Sequence, residues 1–375
     1  MRLGARYGFA LFSRKPISEF LSPAPVLIRE GQPMTSVLET VFSRADEAFY
    51  DDVVLLDSED RFLGLIHVHS LVRVQTQFLR DNIAQLEEQK RVINEKNQQM
   101  EEDLVMACEI QLAMLPREHL LFPATALPGD PHLEFARLYQ PAQKVGGDVI
   151  HVLPLSGQSI GVFIADVMGH GVRSALVTAM LRALVEEAGA AQSDPGALLT
   201  QLNRDLSSIL RHTGDMLFAT AFYLIADLAS GTVRYACAGH PRPLRLRRNT
   251  GRVEVLPCTR PVAGPGLCVI ETATYGTATA SLENDDLVLL YTDGIIEAPS
   301  PEGDLYSLER LQASLLRHAD LSPVALADAI LADAHRFTQG LGFDDDVCLA
   351  AVQVALQSSL QDVAGPANLE TTLVN

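Results

Sequence analysis

The sequence predicts an α+β protein: a sandwich of β-sheets flanked by helices (αββα), preceded by a small αβ unit and a coiled-coil linker helix. Three observations lead there. Between residues 132 and 356, strand-like apolar runs bracket a central pair of helical segments, the pattern of packed sheets with helices outside them. From Gln75 to Leu115 no Gly or Pro interrupts a stretch in which apolar residues recur at heptad spacing. From Ile17 to Val74, short strand and helix signals alternate.

Residues 1–16 are read as an N-terminal extension. Within 17–74, Pro25 to Ile28 is extended and Thr35 to Arg44 helical. Val53 to Asp57 and Arg61 to His67 are strands joined by the turn Ser58-Glu59-Asp60, and a short helix starts at Ser70. In the linker helix, 75–115, Leu79, Leu86, Ile93, Met100, Ala107 and Met114 fall on heptad position d. Ile83, Lys90, Asn97, Leu104 and Gln111 fall on a. Sustained over about five heptads, this spacing predicts a two-stranded coiled coil, because the stripe of a globular helix drifts and widens. Lys90 and Asn97 at a weaken the seam but specify register and a parallel pair, so a homodimer is expected. Pro116 ends the helix, and Pro123, Pro128, Gly129 and Pro131 mark 116–131 as a loop.

The third region, 132–356, begins with strands at Glu134 to Tyr139, Val149 to Leu155 and Ser159 to Ala165. Helices follow at Val172 to Glu187 and Pro195 to Arg211, the second with Asp194 as N-cap and Pro195 at its first position. Leu217 to Leu228 and Thr232 to Ala236 pair through Ala229-Ser230-Gly231, and Leu287 to Tyr291 is a further strand. The basic run Arg242 to Arg248, with Leu244 and Leu246 alternating inside it, reads as a solvated edge strand. Late helices start at Ser307 and at Ser322-Pro323, the last strand runs from Val347 to Val354, and 357–375 is a tail.

With 375 residues and 47% hydrophobic content, the chain has enough apolar surface for at least one full core and for two or three domains. A formal charge of −18 excludes a general nucleic-acid-binding surface, since a polyanion would be repelled. No apolar stretch of membrane-spanning length and no secretory signal pattern is evident, so a cytoplasmic location is expected. Cys108, Cys237, Cys258, Cys268 and Cys348 are odd in number and scattered, as reduced thiols are.

The candidate chemistry lies in acids beside glycines. Gly146-Gly147-Asp148, Asp166 before Gly169-His170-Gly171, Asp293-Gly294 and Asp344-Asp345-Asp346 each adjoin a predicted strand. Carboxylate oxygens are the ligands that hard divalent cations prefer, and strand ends hold several of them at fixed separation. Glycine lets the backbone approach a metal or a phosphoryl group closely.

Five blocks carry a family resemblance. They are Val145-Gly146-Gly147-Asp148; Asp166-Val167-Met168-Gly169-His170-Gly171-Val172 with Ala175; Leu217-Phe218-Ala219-Thr220-Ala221-Phe222; Ala238-Gly239-His240-Pro241; and Leu290-Tyr291-Thr292-Asp293-Gly294 with Glu297-Ala298. Together with Asp345-Asp346 before the final strand, they resemble the metal-dependent protein phosphatases (PPM, or protein phosphatase 2C-like), in the SpoIIE/RsbU branch. Glu109-Ile110-Gln111 and Met114-Leu115-Pro116 resemble the regulatory helix that enters this domain in the same branch. The resemblance implies two Mn2+ or Mg2+ ions held by Asp148, Asp166, the carbonyl of Val167, Asp293 and Asp345, with Asp344 and Asp346 as alternatives to Asp345. It implies hydrolysis of phosphoserine or phosphothreonine by activated water, with those four aspartates catalytic. His170 stands either as a general acid or as part of the turn, and His240 as a structural residue. The implied partner is a phosphorylated anti-anti-sigma (STAS-domain) protein of a bacterial partner-switching pathway.

The sequence departs from that pattern in two places: Val149, Ile150 and His151 replace two aromatics and an Asp, and Cys348 stands where Thr is usual. The 17–74 unit is similar to a single cystathionine-β-synthase-type (CBS) repeat, through Asp52-Val53-Val54-Leu55-Leu56-Asp57 and Gly64-Leu65-Ile66. His67 and Ser70 occupy the positions that hold an adenine nucleotide's ribose in that family, which favours a dimerising or partner-docking unit over a small-ligand sensor. Of the other classes, a diguanylate cyclase needs Glu-Phe after Gly-Gly-Asp, and a sensor kinase needs an ATP-lid pattern after the coiled coil. A non-catalytic scaffold with the phosphatase fold remains the alternative.

Overall fold

The computed structural model describes residues 16, 25–44, 51–127, 129–211, 217–260 and 262–356. Nearly all of the expected N-terminal extension and the whole tail lie outside the described residues. The chain forms two compact units, Met1–Gln99 and Met100–Asn375.

In the first unit, β1 (Leu27–Arg29), α1 (Met34–Phe42), β2 (Val53–Leu56) and β3 (Phe62–Ile66) precede the start of α2 (Val68–Met114). β1 pairs parallel with β2, as a helical crossover permits, and β3 pairs antiparallel with β2 through a tight turn. Asp57 closes that turn by accepting from the backbone N–H groups of Glu59 and Arg61 at 2.8 and 2.9 Å. Val37, Leu38 and Val41 share one face of α1 and pack with Ile28, Val53, Val68 and Leu71 into a small core. α2 begins at Val68, so the expected short helix at Ser70 and the linker helix are one element of 47 residues.

The second unit has β4 (His119–Phe122), β5 (His132–Gln140), β6 (Asp148–Pro154), β7 (Ser159–Val167), α3 (Val172–Glu187), α4 (Pro195–Leu210), β8 (Ala219–Asp227) and β9 (Thr232–Ala238). It continues with β10 (Leu244–Arg247), β11 (Arg252–Val255), β12 (Ala263–Gly264), β13 (Ala278–Ser281), β14 (Leu287–Tyr291), α5 (Asp293–Ile296), α6 (Ser307–Arg317), α7 (Pro323–Thr338) and β15 (Val347–Ala355). One sheet runs β11-β10-β14-β15-β5-β4; the other runs β12-β9-β8-β7-β6, with β13 also on β9.

Alternation along the strands builds four layers. On β7, Ile160, Val162 and Ile164 join Phe135, Phe222, Leu290 and Val352 in a core formed by both sheets. Phe163, Ala165 and Val167 turn the other way, onto Val177, Leu181, Leu198 and Leu202 of α3 and α4. Across the sandwich, Leu289, Tyr291 and Leu349 pack on Leu311, Leu326 and Ile330 of α6 and α7. A strand buried on both faces must be apolar throughout, which is why β7 and β14 read as continuous runs. Each such side chain contributes about 1.5–3 kcal/mol through burial. Helix α4 starts as the sequence predicts, with the Asp194 side chain accepting from Ala197 N at 2.8 Å and Pro195 beside it.

Two expectations are corrected. The 116–131 segment is not all loop: His119–Phe122 form β4, which pairs with Leu133–Ala136 at the sheet edge and places Phe122 in the core. Four residues between prolines carry too short a period to be recognised as a strand. The basic run is not a solvated edge either. β10 lies between β11 and β14, and Arg245 is buried, donating to Ser281 O at 2.8 Å and pairing with Glu254 at 2.5 Å. Two of its guanidinium nitrogens are engaged by those partners, which alternation alone does not reveal. Among the described residues no helix is long and apolar enough to cross a membrane.

Candidate metal centre

The β6–β7 hairpin brings the start of one strand to the end of the next, so Asp148 and Asp166 lie directly opposite each other. Both acids belong to the strands rather than to the turns beyond them. Asp148 is buried, and Thr292 orients it: the Thr292 hydroxyl donates to Asp148 Oδ2 at 2.7 Å and accepts from Cys348 N at 2.9 Å. The β14–β15 pair thus reaches across the sandwich to the β6–β7 pair. It carries Asp293, the first residue of α5, and Asp345, just before β15, to the same end.

Close backbone approach makes two glycines obligatory. A Cβ at Gly147 would lie 2.6 Å from Val167 O and 2.8 Å from Gly169 O, so a side chain there would force the two acidic loops apart. At Gly294 a Cβ would run into the carbonyl oxygen of Asp346.

The three consecutive acids separate by role. Asp344 is exposed. Asp346 is buried, its Oδ1 accepting from Ala142 N at 2.8 Å and its Oδ2 from Gly147 N at 2.5 Å, so it anchors the β5–β6 loop. Asp345 is half-buried, with Oδ1 accepting from Asp346 N at 2.8 Å. The same loop is held from its other side by Gln111 of α2. Its carboxamide donates to Gly146 O at 2.8 Å and accepts from Gly146 N at 3.0 Å.

These carboxylates repel one another. Burial, and then the neighbouring Asp166, raise Asp148 well above the ordinary carboxylate range. Burial, followed by the charges of Asp293, Asp345 and Asp346, pushes Asp166 up to about 7. Asp293 is raised by burial and by Glu297 and Asp345. Among the described residues no group of three or more His, Cys, Asp or Glu side chains is drawn together closely enough to hold a metal ion as it stands. The donor set nevertheless suits a hard divalent cation: all oxygen, several carboxylates, and a mutual repulsion that a cation would relieve. The residues present fit Mn2+ or Mg2+ rather than zinc, which favours His and Cys.

His170 is exposed on the turn after β7. His240 is buried, hydrogen-bonded through Nδ1 to the Thr220 hydroxyl at 2.8 Å, and burial lowers its pKa to about 3. Neutral at physiological pH, it braces β8 against the loop after β9. Thr292, Gln111 and the anchoring role of Asp346 are what sequence reasoning missed. Thr292 and Gln111 stood inside recognised blocks, yet their bonds join residues far apart in the chain.

A family model described as Stage II sporulation protein E (SpoIIE) matches residues 156–355, over half of the chain. The chain belongs to the SpoIIE family. The match includes Asp166, Asp293 and Asp345; Asp148 lies just before it. Among relatives of this SpoIIE-family chain, phosphoserine phosphatase RsbP of Bacillus subtilis is 29% identical over 218 residues, 58% of this chain and 51% of RsbP. Phosphoserine phosphatase RsbU of the same organism is 26% identical over 197 residues, 52% of this chain and 56% of RsbU. The chain thus spans about half the length of these curated relatives. Among solved structures, the SiaA-PP2C domain of Pseudomonas aeruginosa superposes with a TM-score of 0.57 at 22% identity, over 68% of this chain and 98% of that domain. That likeness establishes the PP2C-type fold.

Proposed function

We propose that this SpoIIE-family chain is a metal-dependent protein phosphatase that hydrolyses phosphoserine or phosphothreonine on a bacterial signalling protein. The observation that carries the reading is the pairing of Asp148 with Asp166 across β6 and β7, with Asp293 and Asp345 brought to the same end by β14 and β15. Two relatives named as phosphoserine phosphatases support it. Asp148, Asp166, Asp293, Asp345 and the Val167 carbonyl would hold Mn2+ or Mg2+. When bound, two such cations supply activated water for attack on phosphorus and neutralise the phosphoryl oxygens.

The chain's own groups do the positioning. Thr292 fixes the Asp148 carboxylate, Asp346 and Gln111 fix the loop that precedes it, and Gly147 lets that loop approach Val167. Asp345 is preferred to Asp346 as a ligand because both oxygens of Asp346 are engaged with backbone N–H groups. The proposed substrate is a phosphorylated STAS-domain anti-anti-sigma protein in a partner-switching pathway.

Regulation through a parallel, dimeric coiled coil is the second part of the proposal. Its support is the exposure of Leu79, Ile83, Leu86, Ile93 and Met100, an apolar a/d stripe. The CBS-like unit would sense a partner or a small ligand.

Phosphate release from a phosphorylated STAS-domain protein tests the activity, measured with Mn2+, with excess chelator, and in Asp166→Asn. Turnover only in the first is expected; equal rates in all three sink the mechanism. A wild-type protein that binds the phosphoprotein but never turns it over with either metal would instead favour the scaffold.

A further inference from the structure

We infer that Gln111 is a positioning residue: its side-chain amide sets the register of the Gly146-Gly147-Asp148 segment and thereby the affinity of the centre for its cation. The inference rests on the phosphatase reading above and goes beyond it in naming what holds the Asp148 loop in place.

Gln111 lies near the end of α2, where the preceding residues 100–110 are exposed or only half-buried. It alone in that stretch is buried, at 8% exposure. A long amide is placed inside a protein only when both of its polar ends are satisfied. Here the backbone of one residue answers both. Nε2 donates to Gly146 O at 2.8 Å, and Oε1 accepts from Gly146 N at 3.0 Å. The side chain thus pairs with Gly146 as a neighbouring strand would.

What Gly146 leads into makes the pair consequential. The next residue, Gly147, donates its N–H to Asp346 Oδ2 at 2.5 Å and accepts Val167 N at 3.0 Å. The residue after that is Asp148, held by Thr292. Four segments therefore fix three consecutive residues: α2 holds 146, the Asp346 and Val167 segments hold 147, and Thr292, just after β14, holds 148. The helix end is fixed in turn, since Pro116 O accepts from Arg137 Nε at 2.5 Å and Leu115 packs against the intersheet core. A one-residue slip of α2 would withdraw the amide and leave the buried N–H and C=O of Gly146 without that partner. The Asp148 carboxylate would then lose its fixed relation to Asp166. A residue that orients a ligand without touching the metal typically alters metal affinity by about 10–100-fold when removed.

The test uses the full-length protein and two variants. Gln111→Met keeps the volume and removes both hydrogen bonds; Gln111→Ala removes the volume as well. Calorimetric titration with Mn2+ alone is expected to show affinity about tenfold or more weaker in both variants, to a similar extent. Val105→Ala, at an exposed site on the same helix, is expected to bind as wild type does. If only Gln111→Ala weakens binding, packing rather than the amide is responsible and the inference falls. Hydrogen exchange on metal-free protein gives an independent readout. Amides of 146–148 are expected to exchange faster in Gln111→Met while β7 and β8 stay protected, and unchanged exchange there overturns the inference. Wild-type protein that binds no Mn2+ overturns the phosphatase reading, whereas wild-type binding with unaltered affinity in both variants overturns this inference alone.

Discussion

Two buried aspartate clusters in the second unit differ in what surrounds them. Asp333 on α7 is met by the hydroxyl of Ser314 at 2.7 Å, by Arg317 at 2.6 Å, by His318 at 3.2 Å and by Arg336. Burial pushes this carboxyl up, but hydrogen bonds from Ser314 and His318 and the charge of Arg336 outweigh it and hold the group below the ordinary range. At Asp148 and Asp166 burial acts in the same direction, and the neighbours are further carboxylates, so nothing reverses the rise. One cluster is finished by the protein itself. The other has no cationic side chain among the described residues to offset it, which is what the proposed cation would do. Burial of an acid therefore says little about function until its partners are counted.

The largest effect that would break this contrast concerns activity. Asp166→Asn is expected to lower phosphate release by roughly three orders of magnitude or more, since activation of water depends on the metal centre. Asp333→Asn should leave turnover within about twofold while lowering stability by about 1–3 kcal/mol, the range for a buried acid whose cationic partners are largely solvent-exposed. Comparable losses of turnover in both variants would erase the distinction.

The pH dependence sharpens it. Asp166 has a folded pKa raised to about 7, so the folded metal-free protein holds a proton that the unfolded chain releases near pH 4. That contribution is fully present below pH 4 and is lost as pH rises toward 7. Asp333, with a lowered pKa, contributes stability above its unfolded pKa that is lost as pH falls through the folded value. Thermal unfolding without metal should show Asp166→Asn gaining on wild type as pH rises from about 4 to about 7, and Asp333→Asn losing least at the acid end. Addition of Mn2+ should cancel the first difference by stabilising wild type alone; identical pH profiles would refute the electrostatic account.

A smaller effect is expected at Thr292. Thr292→Val removes the hydroxyl that links Asp148 to Cys348 N, and Mn2+ affinity should fall about tenfold. Titration calorimetry reads this directly. In the linker helix, Ile93→Pro should abolish dimerisation, measured by analytical ultracentrifugation, without removing the metal centre; dimerisation and activity both unchanged would refute the proposed coupling.

Much of the architecture was readable because hydrophobic period and caps act locally. The bounds of α3, the starts of α6 and α7, the Asp194 cap and the span of β14 all follow from residues within a few positions of one another. The glycine-flanked acids were readable for the same reason, as short motifs beside strands. What lay beyond reach were pairings across the chain. β10 looks like a surface strand until Glu254 and Ser281 are placed beside Arg245, and β4 is visible only through β5.

Sequence by itself indicated most of the elements, their order and the candidate acids, since periodicity, turn chemistry and residue type are properties of neighbouring positions. Tertiary structure alone decided how the adjacent acids divide, with Asp346 consumed by Ala142 N and Gly147 N and Asp345 left half-exposed. It also decided that Thr292 orients Asp148 and that Gln111 holds Gly146. Those bonds span sequence separations of 204, 199, 144 and 35 residues. A buried polar group takes whichever partner the packed layers bring to it, and no local pattern encodes that partner.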